Sequence, residues 1–471
     1  MMTFDKGRNW KATVMLLNAM KAASSLNTTE SSKQWSLPLP NTFTYSLAIA
    51  ACARCNQNDA ALSLLDQMTE MASSSSNGNN DDIELAGDAV WAYNAAILAC
   101  AESSTNPSRV RSKSNDNGVH VLTAFNILER MENNNKESGG VNIFPDTVSY
   151  NTALSVLDES SFAALKESGL DKRNTRLSKH DRIADAVVDV LDCMVSRDAI
   201  TYYNAILACR SSSEDALTIF RRSLSEADFI QAMSSNNLNS MRLKGRASTG
   251  MVFVANAALS VAAALGDVHA VSQVLSMLSQ VDSKLNPESI KHIILTLGKI
   301  NDCEAIIAVL ICLKGQSFAN DILKERYSID ILSNLSEKSI PMIEEEVYSA
   351  AITSCLRHDE LGMADQILLS MKKNGLTLNQ RSLREIIAEY CRMAMSTSKE
   401  EFKAARLAKR HQEATGNRGL LCHGLVEPIY ITSRARAKAA LAMLKAVNEP
   451  PPSLLSPVAK ACCSAGLWHD A

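Results

Sequence analysis

The sequence predicts an all-α fold: an α–α superhelix, or solenoid, of helix–turn–helix repeats with long loop insertions. Three observations carry this. Apolar residues recur at spacings of three, four and seven, which puts them on one face of a helix. Aromatic residues make up 5% of the 471-residue chain while hydrophobic residues make up 46%. That balance suits close helix–helix packing better than sheets rich in aromatic and β-branched side chains. The same pair of apolar patterns also returns along the chain, separated by polar stretches, as expected of a repeat that cannot bury both stripes alone.

The unit is clearest in Glu345–Asn379. Its first half is apolar at Val347, Ala350, Ala351 and Cys355, and its second half at Ala364, Ile367, Leu368 and Met371. Arg357–Glu360 is polar and suits the turn. Asn374-Gly375 closes the second helix, because glycine tolerates the left-handed conformation there. The other second helices match it residue for residue: Ala61/Leu64/Leu65/Met68, Ala124/Ile127/Leu128/Met131 and Val187/Val190/Leu191/Met194. The first helices share a tyrosine (Tyr45, Tyr93, Tyr150, Tyr202) and often end in cysteine (Cys52, Cys100, Cys209, Cys355, Cys462).

In chain order, residues 1–27 hold the second helix of a partial repeat. Residues 41–314 hold hairpins with insertions. Residues 315–344 are a spacer or one more helix, and 345–379 the best-conforming repeat. Residues 380–447 carry degenerate, basic helices and 450–471 a further partial repeat. Insertions are expected at Ser73–Asp82, Glu102–Gly118, Lys172–Arg182 and Ala227–Thr249, all polar and rich in Ser, Asn or charge. Both ends read as cut from a longer array.

Composition excludes several classes. A net charge of −3 announces no nucleic-acid partner through the whole-chain field, so any basic surface is local. Twelve cysteines in so long a chain are not a secreted disulfide scaffold. No apolar run is long enough for a membrane span, and no signal-peptide core opens the chain. The eight histidines form no HExxH or triad-like setting. Cys52 and Cys55 form a CxxC without a second ligand pair at zinc spacing. A small buried apolar residue explains the repeated cysteines. No catalytic residue, metal, cofactor or small-molecule substrate is expected.

The segments TYSLAIAAC (Thr44–Cys52), AYNAAILAC (Ala92–Cys100), SYNTALSVL (Ser149–Leu157), TYYNAILAC (Thr201–Cys209) and VYSAAITSC (Val347–Cys355) carry a more specific mark. A Tyr-[Asn/Ser] pair opens the first helix, and several repeats exit on Asp or Asn. This pattern resembles the pentatricopeptide-repeat family. The resemblance implies a right-handed superhelix with first helices on the concave side, binding single-stranded RNA at about one base per repeat. It assigns base selection to the residue after the tyrosine, here Ser46, Asn94, Asn151, Asn256 and Ser349. The last residue of the repeat completes each choice: Asp146 with Asn94, Asp198 with Asn151, and Asn379 with Ser349. The family's code gives uracil for Asn with Asp and adenine for Ser with Asn.

Tyr203, Met251, Arg384 and Ala89 depart from that code at equivalent positions. A plainer reading of Asn and Ser near helix starts is capping. The repeated tyrosine reads as packing between hairpins. Lys and Arg outnumber Asp and Glu over Gln380–Lys445. Lys403, Arg406, Lys409 and Arg410 on one helix, and Arg434, Arg436 and Lys438 on another, are candidate phosphate contacts or ordinary solvated faces. The resemblance further implies a mitochondrial or chloroplast role in RNA processing, stability or translation. Two other readings stand beside it: a protein-binding scaffold with degenerate selectors, and the specificity arm of a larger RNA-processing enzyme.

Overall fold

The structure is a computed structural model. It describes residues 9–26, 40–55, 57–74, 82–104, 115–137, 143–167, 176–226, 250–281, 283–335, 345–358, 360–376 and 381–396, with parts of 433–445 and 452–467. Regular secondary structure among these residues is helical throughout, as the periodicity predicts. The chain divides into two units, Met1–Val261 and Ala262–Ala471.

In the first unit, α1 (Trp10–Leu26) is followed by the hairpin α2 (Thr42–Arg54) and α3 (Asn58–Ser74). Next come α4 (Asp82–Ser104) and α5 (Asn115–Glu137), both longer than the apolar pattern alone suggests. Then follow α6 (Thr147–Val156), α7 (Glu159–Glu167), α8 (Ile183–Cys193), α9 (Ala199–Ala208) and α10 (Ser213–Ser225). Helix α11 (Gly250–Leu265) carries the boundary.

First helices stack on first helices: α2 on α4, α4 on α6, and α6 on α9, while α1 also packs on α2. Helices α2, α4 and α9 also pack on their own second helices, α3, α5 and α10. A first helix is therefore enclosed on several sides. In α2 every residue from Tyr45 to Ala53 is buried. The second helices bury one stripe only. Ala61, Leu64, Leu65 and Met68 are inside, as are the matching residues of α5 and α8, while the opposite faces are polar. This is the amphipathic pattern of an outer helix.

The repeated tyrosines are core residues: Tyr93 and Tyr202 are 0% exposed, and Tyr45 and Tyr150 are also buried. The repeated cysteines lie beside them. Burial pushes the Cys100 and Cys209 thiols up to about 12 and Cys52 to about 11. Such thiols stay protonated and inert at neutral pH.

Helix α7 was not apparent in the apolar pattern, which assigns Ile183–Met194 as the partner of α6. It begins one residue past the α6 turn, where Asp158 accepts the Ser161 backbone N–H at 2.7 Å. It packs on α5, on the second-helix side, while α6 and α9 still meet directly.

The second unit repeats this plan. Its helices are α12 (Val268–Gln280), α13 (Pro287–Lys299), α14 (Cys303–Cys312), α15 (Ser317–Tyr327), α16 (Glu345–Arg357) and α17 (Leu361–Lys373). Helical residues 381–396 and α18 (Pro452–Ser464) follow, with further helical residues between 433 and 445. First helix α13 packs on first helix α16, and α15 packs on α14 and α12. The 315–344 stretch thus contains a helix, and it too lies on second helices. Buried Asn320 ties it down, donating to Asp330 at 3.0 Å and accepting from the Ile331 N–H at 2.9 Å.

In the best-conforming repeat, Ala364, Ile367 and Met371 are buried and Leu368 is half-buried. Gly375, at φ 70°, ends α17 with its N–H on Lys372 O and that of Leu376 on Met371 O. That is the paired helix-end bonding its Asn-Gly predicts.

Candidate nucleic-acid interface

The site is built from helix starts. Asn41, Asp146, Asp198 and Asn286 are the N-caps of α2, α6, α9 and α13, each in extended backbone. Each side chain accepts the backbone N–H three residues on. The hydroxyl of that residue (Thr44, Ser149, Thr201 or Ser289) takes the cap's own N–H. Reciprocal capping of this kind satisfies two otherwise orphaned donors.

Five residues after each cap comes the selecting position: Ser46, Asn151, Tyr203 and, in α13, Lys291. The same count from Ala89 reaches Asn94, and from Met251 it reaches Asn256. Asn94 Nδ2 donates to Asp146 Oδ1 at 3.2 Å, and Asn151 Nδ2 donates to Asp198 Oδ1 at 3.1 Å. Two of the three pairs expected from the resemblance are thus brought together, each joining one first helix to the start of the next.

The same carboxylate oxygen serves the cap. Asp146 Oδ1 accepts from Ser149 N and Oγ, both at 2.8 Å, and Asp198 Oδ1 from Thr201 N and Oγ1, both at 2.8 Å. The capping reading and the selector reading therefore fall on one side chain. Each amide has its Nδ2 engaged, while Oδ1 of Asn94 and of Asn151 is buried with no hydrogen-bond partner. An unsatisfied buried acceptor costs about 1–3 kcal/mol, so a donor arriving there is favoured.

Two apolar side chains stand beside these pairs, missed by sequence reasoning. Trp91 and Val148, three residues before Asn94 and Asn151, are 41% and 57% exposed. The available signal was their register: each lies one helical turn before a selector, on its face. Asn41, Asn286 and Lys291 were missed too, and counting five residues between cap and selector finds them. Lys291 is ion-paired with Glu288 at 3.4 Å and Glu346 at 3.3 Å.

The remaining candidates are distributed differently. Ser46 is buried, its hydroxyl donating to Thr42 O at 2.8 Å. Asn256 and Ser349 are buried at the selecting positions of α11 and α16. Asn379, Lys403, Arg406, Lys409 and Arg410 lie outside the described residues. Arg434 and Lys438 are exposed, Arg434 donating to Ala465 O at 3.3 Å. Arg436 is 8% exposed, which removes it from the surface set: its neighbours Ala437 and Ala440 are 0% exposed, so this helix packs the side it shares with Arg436.

Among the described residues no group of three or more His, Cys, Asp or Glu gathers as a metal site, and no helix is long and apolar enough to cross a membrane.

Stacked helical hairpins, with a polar pair at two of the first-helix junctions, define the class: an α-helical repeat protein. The pentatricopeptide-repeat family model matches residues 43–71 and 346–376, the α2–α3 and α16–α17 hairpins. These two hairpins are thus similar to pentatricopeptide repeats. Solved structures similar to it include pentatricopeptide repeat protein PPR10 from maize, at 15% identity and TM-score 0.30, covering 99% of this chain and 61% of that one. PPR10 in complex with an 18-nt psaJ RNA element is similar at 16% identity and TM-score 0.31, covering 98% and 65%. This chain therefore spans less than two thirds of the length of these relatives. No curated protein sequence matches it.

Proposed function

We propose that the chain binds single-stranded RNA and reads bases at its first-helix junctions. It acts in organellar RNA processing, stability or translation and performs no chemistry of its own in this stretch. The observation that carries this is the pair of junction hydrogen bonds, Asn94–Asp146 and Asn151–Asp198, in one register. With Nδ2 held by the aspartate, each amide keeps Oδ1 buried and without a partner, and a small outward turn on RNA binding would give it a donor. Its second N–H remains for an acceptor. Uracil offers that combination on its Watson–Crick edge, an imino N–H beside carbonyl oxygens, whereas cytosine presents an acceptor at the same ring nitrogen. Trp91 and Val148 supply apolar faces for the flanks of a splayed base.

The test is a filter-binding titration of the full chain with random single-stranded RNA at two salt concentrations. Micromolar binding that weakens with salt is expected; no binding at low salt would sink the proposal. Asn94→Ala with Asn151→Ala should change base preference more than affinity, and a uniform loss across sequences would argue against base reading.

A second reading, a protein-binding scaffold, is favoured by one observation. The Lys291 selecting position is held by Glu288 and Glu346 rather than left for a base. Affinity capture of a defined partner that persists after ribonuclease treatment, with no RNA binding, would establish it.

A further inference from the structure

Tyr203 stands five residues after the cap Asp198, where Asn94 and Asn151 stand in their own helices. Its ring lies on that of Phe253 in α11, with centroids 4.4 Å apart and planes 18° apart. Phe253 follows Met251 by two residues, the register that Trp91 and Val148 occupy after Ala89 and Asp146. The junction that elsewhere joins an amide to a carboxylate is here an aromatic stack. Beside the Asn151–Asp198 bond, α6 and α9 share a second tie, in which Asn204 Nδ2 donates to the Asn151 backbone carbonyl at 3.0 Å. Both rings are half-buried, so they sit at the groove wall and not in the core.

Ring centroids this close are in direct contact, as in an ordinary stacked aromatic pair. A third ring cannot enter between them without prising the pair apart. The amide–carboxylate pair of the neighbouring junctions is also absent here, since Tyr203 stands in place of the amide and Met251 in place of the carboxylate.

We propose that the Tyr203–Phe253 stack occupies the place a base would take, so that this repeat reads no nucleotide. The recognition track past Asn151–Asp198 therefore contains a built-in skip. This rests on the reading of the chain as an RNA-binding protein.

The experiment uses the full chain and the tightest-binding member of a random single-stranded RNA pool, scanned with single abasic nucleotides. Asn94→Ser and Asn151→Ser first locate the two nucleotides those residues read, through their changed base preference. The nucleotide next to the Asn151 position, on the side away from the Asn94 position, faces Tyr203. An abasic residue there should cost less than about twofold in affinity, against about tenfold at the two Asn-read positions. Tyr203→Phe keeps the stack and should keep this tolerance. Tyr203→Asn with Phe253→Val opens the place and should make the nucleotide sensitive.

Equal sensitivity at all three positions in the unmodified protein overturns the skip while leaving RNA binding intact. Absence of RNA binding overturns both readings, so the two failures are distinct. If the opened variant does not fold, the scan of the unmodified protein decides alone.

Discussion

Asn151 Nδ2 donates to Asp198 Oδ1 at 3.1 Å, the same oxygen that caps α9 through the Thr201 backbone N–H at 2.8 Å. One carboxylate oxygen thus holds a helix start and a neighbouring repeat together. Helix capping and the proposed base reading share a residue, and substitutions can separate them.

Asp198→Ala removes the cap and strands the Asn151 amide, and should cost about 2 kcal/mol. Asp198→Asn keeps an effective cap and should stay within about 0.5 kcal/mol of the unmodified chain. Urea denaturation midpoints check both. Equal losses for the two substitutions would show that the charge, not the cap, holds the junction.

Glu288 predicts an acid dependence of stability. The hydrogen bond from His292 and the charge of Lys291 together push its carboxyl down to about 2 from an ordinary 4.5. A carboxylate depressed in the folded state stabilises fully above its unfolded value, and that contribution is lost as pH falls toward the folded one. The Glu288 contribution should therefore fade between about pH 4.5 and about pH 2. Its side chain is 44% exposed, so solvent screening keeps the effect small. Glu288→Gln should flatten the acid limb of a stability–pH profile, and an unchanged limb would count against this role.

Gly298 lies where α13 comes close against Ser354 of α16. A Cβ added there would lie 2.5 Å from Ser354 Oγ and 2.6 Å from its Cβ. Gly298→Ala should destabilise by about 1–3 kcal/mol through overpacking. Adding Ser354→Gly should recover most of that loss in the same denaturation measurement; no recovery would place the strain elsewhere.

Thiol labelling should sort the described cysteines by burial. Cys193 is exposed, whereas Cys52, Cys100, Cys209 and Cys355 are buried, and burial raises all four thiols. Alkylation at neutral pH followed by mass spectrometry should mark Cys193 first, with the four buried thiols reacting only on unfolding. Early labelling of Cys100 would contradict the packing of α4.

Much of this architecture was legible because it is local. The stripe Ala124/Ile127/Leu128/Met131 specifies a helix and its inner face through spacing alone. The Asn-Gly end of α17 is readable because only backbone conformation is at stake. The two Asn–Asp pairs were reached through register, by way of the family resemblance. Helix α7 escaped notice because Glu159–Glu167 is short and only weakly apolar, and it gains its burial from α5. Trp91 and Val148 escaped because exposed apolar residues look like core residues until neighbours fail to cover them.

The sequence by itself determined the order of the hairpins and the five-residue register from cap to selector, since both depend on spacing along one helix. Tertiary structure decided which selectors meet a partner. Asn94 and Asp146 are 52 residues apart, and Asn151 and Asp198 are 47. They touch because first helices stack directly while α7 is accommodated on the second-helix side. Tyr203 and Phe253, likewise far apart in sequence, meet as rings. Whether a junction holds an amide–carboxylate pair or an aromatic stack is thus a property of packing across the insertions.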